Sequence, residues 1–167
     1  MKSLWFCVLA GCFMVLESGC KKEEFTDDNV VEFLAFGRFN SLCAPGSDES
    51  CIEIFFMDKT RLLEDINDQL PQAGTVYPGN YATSGNDQDH DDIEEALRTN
   101  IPKSLLQTPN GMVGSTPPWS SNFFYFEYKT KKMHGYWVID GSFDGNLGTE
   151  MTNFIGILNQ TVNIASF

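Results

Sequence analysis

Asn122-Phe123-Phe124-Tyr125-Phe126-Glu127-Tyr128-Lys129-Thr130, followed by Lys131-Lys132-Met133-His134 and then Gly135-Tyr136-Trp137-Val138-Ile139-Asp140, is the stretch that decides the fold. Two aromatic runs of strand length separated by four mostly polar residues read as a β-hairpin, with Lys131 to His134 as its connection. Beyond it, Met151, Phe154, Ile155, Leu158 and Val162 recur at helical spacing. That stripe predicts an amphipathic helix from about Thr149, with one apolar face to bury against a sheet.

Working toward the N-terminus, Val30 to Phe39 reads as a strand in which Gly37 marks a bulge or a close backbone approach. Ile52, Ile54 and Phe56 alternate with Glu53, Phe55 and Met57, the period of two of a second strand. Asp58-Lys59-Thr60 then turns the chain into a third strand near Arg61 to Ile66. Residues 67–90 and 107–121 are rich in Gly and Pro and read as two long loops. Between them, Ile93 to Arg98 forms a short helix with acids in its first turn, and Pro102 opens a further helical turn through Leu106. Short connections between strands imply antiparallel pairing. The expectation is a single α+β domain over 30–167, with an antiparallel sheet of about five strands and the C-terminal helix on one face.

The chain has 167 residues and a formal charge of −12. Lys2 and Glu17 cancel, so the imbalance belongs to the residues after 19. An acidic domain lacks the clustered Lys and Arg that bind nucleic-acid phosphates, and it is repelled by anionic lipid heads. Attachment to a membrane therefore has to be covalent, and no nucleic-acid partner is expected.

Lys2 and the apolar run Leu4 to Leu16 have the form of a secretory signal, too short to span a bilayer. Leu9-Ala10-Gly11-Cys12 matches the bacterial lipobox, but it leaves only Leu4 to Val8 as a hydrophobic core before it, and the apolar run continues straight through it. Cys20 follows small residues and precedes a polar tail, so the reading is a signal peptide over 1–19, lipidation at Cys20 and a polar tether over 20–29. Lys22-Glu23-Glu24 just after that cysteine resembles the surface-display signal of lipoproteins from Bacteroidetes-type bacteria. The resemblance implies an outer-membrane lipoprotein of the cell envelope, facing outward.

Outside the cytoplasm Cys43 and Cys51 are most simply a disulfide, with a metal pair as the sharper alternative. Asp87, Asp89 and Asp91 alternate like the ligands of an EF-hand calcium loop. Asp92 stands where that loop needs its glycine and Arg98 where it needs its glutamate, so the motif fails at its strictest positions. An acidic loop capping the following helix explains the same residues; Asp65, Asn67 and Asp68 could contribute oxygens to such a site too, and turn chemistry explains them as well. No cofactor is expected, with calcium at Asp87, Asp89 and Asp91 the alternative. His90 and His134 have no identifiable partners and are expected to face solvent. Trp119, Phe123, Tyr125, Tyr136 and Trp137 could line a sugar or peptide surface, although core and cross-strand pairing explains most of them.

Phe36-Gly37-Arg38-Phe39, Cys43, Cys51-Ile52-Glu53-Ile54-Phe55, Leu63 to Asp68 with Pro71, and Tyr136-Trp137-Val138-Ile139-Asp140 occur in an order that resembles a group of small uncharacterised Bacteroidetes-type lipoproteins. The likeness spans about residues 32 to 165 and implies no particular chemistry. No hydrolase or nucleotide motif is present, so no catalytic residue is named. The functional expectation is a non-enzymatic, lipid-anchored module for a protein or small ligand. The alternatives are a calcium-stabilised adhesion or scaffolding domain, and a secreted-type hydrolase using Asp or Glu.

Overall fold

The computed structural model describes residues 30–43, 51–84, 89–114, 122–142 and 148–166. Strands β1 (Val31–Phe39), β2 (Ile52–Met57), β3 (Leu62–Asp65) and β4 (Tyr81–Thr83) come first. Helices α1 (His90–Asn100) and α2 (Lys103–Gln107) follow, then β5 (Gly111–Val113), β6 (Phe123–Thr130), β7 (His134–Asp140) and the closing helix α3 (Gly148–Ala165). They build one α+β unit around a seven-stranded sheet in the order β4-β3-β2-β1-β6-β7-β5.

The expected five-stranded antiparallel sheet is corrected in two respects. The segments read as loops contribute β4 and β5, each only three residues long and hidden among Gly and Pro. The pairing of β5 with β7 is parallel, Gly111 to Val113 running beside Trp137 to Ile139. The chain that joins them includes β6, which is antiparallel to β7, so two reversals of direction bring β7 back parallel to β5.

Alternation sorts the side chains onto two faces. Phe36 lies between Phe55 of β2 and Phe126 of β6, and Phe126 is paired with Trp137 of β7. This row of fully buried rings faces the helices, and Phe154 of α3 meets Phe126 edge-on at 5.0 Å. The Trp137 indole N–H, buried with the row, donates to the Thr108 carbonyl oxygen at 3.2 Å, so its polar atom is not stranded. In α3 the stripe buries Met151, Phe154, Leu158 and Val162, while Ile155 is only half-buried. Burial of each large apolar side chain contributes roughly 1.5–3 kcal/mol, which makes this face the main source of stability.

The opposite face buries Ala35, Ile54, Tyr125 and Val138 beneath Tyr77, with Leu70 packed alongside. Gly37 sits in the middle of β1, and a Cβ there would lie 2.1 Å from the Glu53 carbonyl oxygen of β2. It is a close backbone approach; the register shift in this strand falls instead between Val31 and Phe33.

The β6–β7 turn is closed by Thr130, whose N–H donates to Met133 O at 2.8 Å and whose hydroxyl accepts from the N–H groups of Lys132 and Met133. His134 therefore opens β7 and is not part of the turn.

Candidate functional site

The sequence-predicted sites separate in space. Cys43 and Cys51 form a disulfide, with Cα atoms 6.0 Å apart, joining the exit of β1 to the entry of β2. Cys20, Asp87 and Trp119 lie outside the described residues. Asp89 occupies the N-cap position of α1 but makes no side-chain capping hydrogen bond, which corrects the capping role assigned to it. The Asp91 side chain is fully exposed and reaches only as far as its neighbour His90. Among the described residues no group of three or more His, Cys, Asp or Glu side chains could hold a metal ion.

Both histidines have partners, contrary to expectation. His90 is buried at the start of α1, with Nε2 2.7 Å from the carbonyl oxygen of Asp58 and Nδ1 3.0 Å from Asp91 Oδ1. Both neighbours are acceptors, so both ring nitrogens are satisfied only as donors, that is, in the imidazolium form. Burial opposes that charge, but the hydrogen bonds to Asp91 and the Asp58 carbonyl outweigh it and raise the pKa above its ordinary value.

His134 lies on the sheet face opposite the helices, with Nε2 2.6 Å from Glu127 Oε1. Glu127 is 2% exposed, and its other oxygen accepts the Tyr125 hydroxyl at 2.7 Å. The network continues through Tyr125 Oη, which accepts the Tyr77 backbone N–H at 3.0 Å. The Tyr77 hydroxyl in turn donates to Asp65 Oδ2 at 2.5 Å, and the Asn80 N–H donates to Asp65 Oδ1 at 2.6 Å. Burial and the adjacent carboxylates push the pKa values of Tyr77 and Tyr125 well above the ordinary phenol value, so both hydroxyls stay protonated donors. With each oxygen of Glu127 engaged by a donor, this carboxylate organises the layer that holds Tyr77 and the 66–80 segment on the sheet. Half-buried rings flank it: Phe33 contacts Phe56 at 5.0 Å and His134 at 6.0 Å, and His134 contacts Tyr136 at 5.5 Å.

Of the aromatic residues singled out as a surface, Phe123, Tyr125 and Trp137 are core, and Tyr136 alone of the four that are described is half-exposed.

The principal cavity is at the end of the sheet where β1 and β2 meet the disulfide. It encloses about 690 Å³ between the ends of β1 and β6 and the outer turn of α3. That volume lies within the range of small-ligand sites. None of the described residues of 67–90 or 107–121 lines it, unlike the cleft between two long loops that a hydrolase reading anticipates. Arg38, Asn40, Asn122 and Asn159 supply polar groups to its lining, and Phe39, Phe123, Phe124 and Ile155 the apolar ones, with Phe39 and Phe124 each 6% exposed. Arg38 projects from the helix-facing side of β1. Its Nε pairs with Glu53, and its Nη1 donates to Asn163 Oδ1 at 2.6 Å and, weakly, to Asn159 Oδ1 at 3.4 Å.

Gly156 lies in the middle of α3 and also lines the cavity, and a Cβ built there meets no heavy atom within 4 Å. A helix-interior glycine costs about 1 kcal/mol relative to alanine. Packing gives no reason for it here. This glycine, interrupting the strongest helical pattern in the chain, was the available sequence signal for the site.

No family model, curated protein or solved structure matches the chain, so its own residues carry the functional reading.

Proposed function

We propose that the chain is an exported lipoprotein of the Bacteroidetes type, cleaved after residue 19 and acylated at Cys20, whose folded part binds a small ligand without transforming it. The polarity of β1 carries this reading. Val31, where the tether over 20–29 would enter, and Phe39, which lines the cleft, are opposite ends of one nine-residue strand. At about 3.4 Å per residue the strand separates anchor and cleft by about 27 Å, so a lipid at Cys20 leaves the cleft facing away from the membrane. The acidic surface is consistent with a domain held off anionic lipid by a covalent anchor.

The test is palmitate labelling combined with protease shaving of intact cells, on the unmodified chain and on Cys20→Ala. The expected result is a labelled chain that is shaved from intact cells and a Cys20→Ala form that is unlabelled and released. Labelling with protection until the outer membrane is broken would leave the anchor in place and overturn outward display. An unlabelled wild-type chain would overturn the lipoprotein reading itself.

A further inference from the structure

Resting on the binding role proposed for the cleft, we infer that its ligand is a neutral oligosaccharide, hydrogen-bonded by Arg38, Asn40 and Asn159 and seated where Gly156 leaves α3 bare. The charge of the lining excludes the alternatives first. The described lining residues include no Asp, Glu or Lys, and the one cation among them, Arg38, is paired with Glu53. An anionic ligand would meet a domain of charge −12 with no uncompensated cation to hold it. A cationic ligand would find no carboxylate among the described lining residues. What remains is a neutral ligand dense in both donors and acceptors.

The lining groups match hydroxyls in that respect. Arg38 Nη1 is held by Asn163, and Nη2 makes no hydrogen bond among the described residues, so a guanidinium already fixed in place has two protons to donate. Asn40 uses its Oδ1 to accept the Leu42 N–H at 2.9 Å, which orients its amide and turns the NH₂ group to other acceptors. Asn159 presents a second amide one helical turn from Gly156. Amides and a guanidinium bridge adjacent hydroxyls, donating to one oxygen and accepting from the next. The apolar part of the described lining is Phe39, Phe123 and Phe124, all buried, with half-buried Ile155, a small surface that suits the C–H face of a sugar ring.

The experiment is titration calorimetry on the purified full chain with three panels: neutral cello-, xylo- and malto-oligosaccharides, oligogalacturonates, and short peptides. It is repeated on Gly156→Leu, which fills the cleft from a position where a side chain meets nothing, and on Asn159→Ala. Gln160→Leu, at an exposed α3 position outside the described lining, is the control, expected to fold and to bind as the wild type does. The expected result is binding of a neutral oligosaccharide that weakens about tenfold in Asn159→Ala and is lost in a Gly156→Leu form that melts no lower than the wild type. Binding confined to oligogalacturonates or peptides, and lost in Gly156→Leu, would overturn the saccharide assignment while leaving the binding cleft intact. Saccharide binding undiminished in Gly156→Leu would place the site elsewhere and overturn both. No binding from any panel would overturn the saccharide assignment, and the anchor would still be judged by palmitate labelling.

Discussion

Glu127 and His134 meet diagonally across the β6–β7 ladder, where Glu127 is registered against Tyr136 and His134 against Lys129. The contact links a carboxylate with almost no solvent access to an imidazole that is about one-third exposed. Glu127→Ala leaves the Tyr125 hydroxyl and the His134 ring without their acceptor inside the sheet layer. The expected loss is about 3 kcal/mol in urea unfolding, with a smaller loss in Glu127→Gln, which keeps an acceptor oxygen. Equal losses in the two variants would mean that the carboxylate is held there for its shape alone.

His90 predicts a pH dependence of defined sign. Its pKa is raised in the folded state, so its stabilisation is fully present below the unfolded value of about 6.5 and is lost as pH rises through the folded value. Asp58, whose carbonyl it binds, does not complicate the acid side. The hydrogen bond from Arg61, reinforced by the N–H groups of Thr60 and Arg61 against the effect of burial, holds the Asp58 carboxyl down to about 2. The difference in urea midpoint between the wild type and His90→Gln should therefore be larger at pH 5 than at pH 9. A difference that is flat across this range would show that the imidazole binds in its neutral form.

Gly37 tolerates no side chain, because the Glu53 carbonyl occupies the space a Cβ would need. Gly37→Ala has to part β1 from β2 at the centre of the sheet, at an expected cost of about 3 kcal/mol or more. Thermal melting of the soluble variant, or its failure to accumulate, provides the check. A melting temperature within a degree or two of the wild type would contradict the register given for these strands.

The Cys43–Cys51 bridge closes a short loop at the mouth of the cleft, which Cys51 lines. Replacing both cysteines by serine should lower stability by about 2–3 kcal/mol on the loop-entropy model. Because the bridge also fixes the entry of β2, ligand affinity should fall in the same variant at temperatures where it is fully folded. Unchanged affinity would confine the bridge to a stabilising role.

The strongly periodic parts of the molecule were legible from the residues alone. The Phe123–Asp140 hairpin and the α3 stripe were found because each has enough turns or alternations to establish its period. Tyr81–Thr83 and Gly111–Val113 are too short to show a period, and the parallel direction of the second depends on the connection through β6, which no local pattern encodes. His134 was assigned to the turn because Lys131 and Lys132 looked like its core, whereas the Thr130 hydroxyl closes the turn one residue earlier. The cleft was hidden for a different reason. Arg38, Asn122 and Asn159 are distant in sequence, so their convergence is a property of topology.

The first strand of the sheet occupies its middle. With β2 on one side and β6 on the other, β1 waits for a partner more than eighty residues downstream, and Val31 pairs with Thr130. A ribosome that has released only the first hundred residues has made a half-sheet whose central strand still shows an unpaired edge. The cooperative unit cannot close until most of the chain has been delivered. A polypeptide threaded head-first through a narrow translocon would remain pliable for most of its passage and complete its fold on the far side.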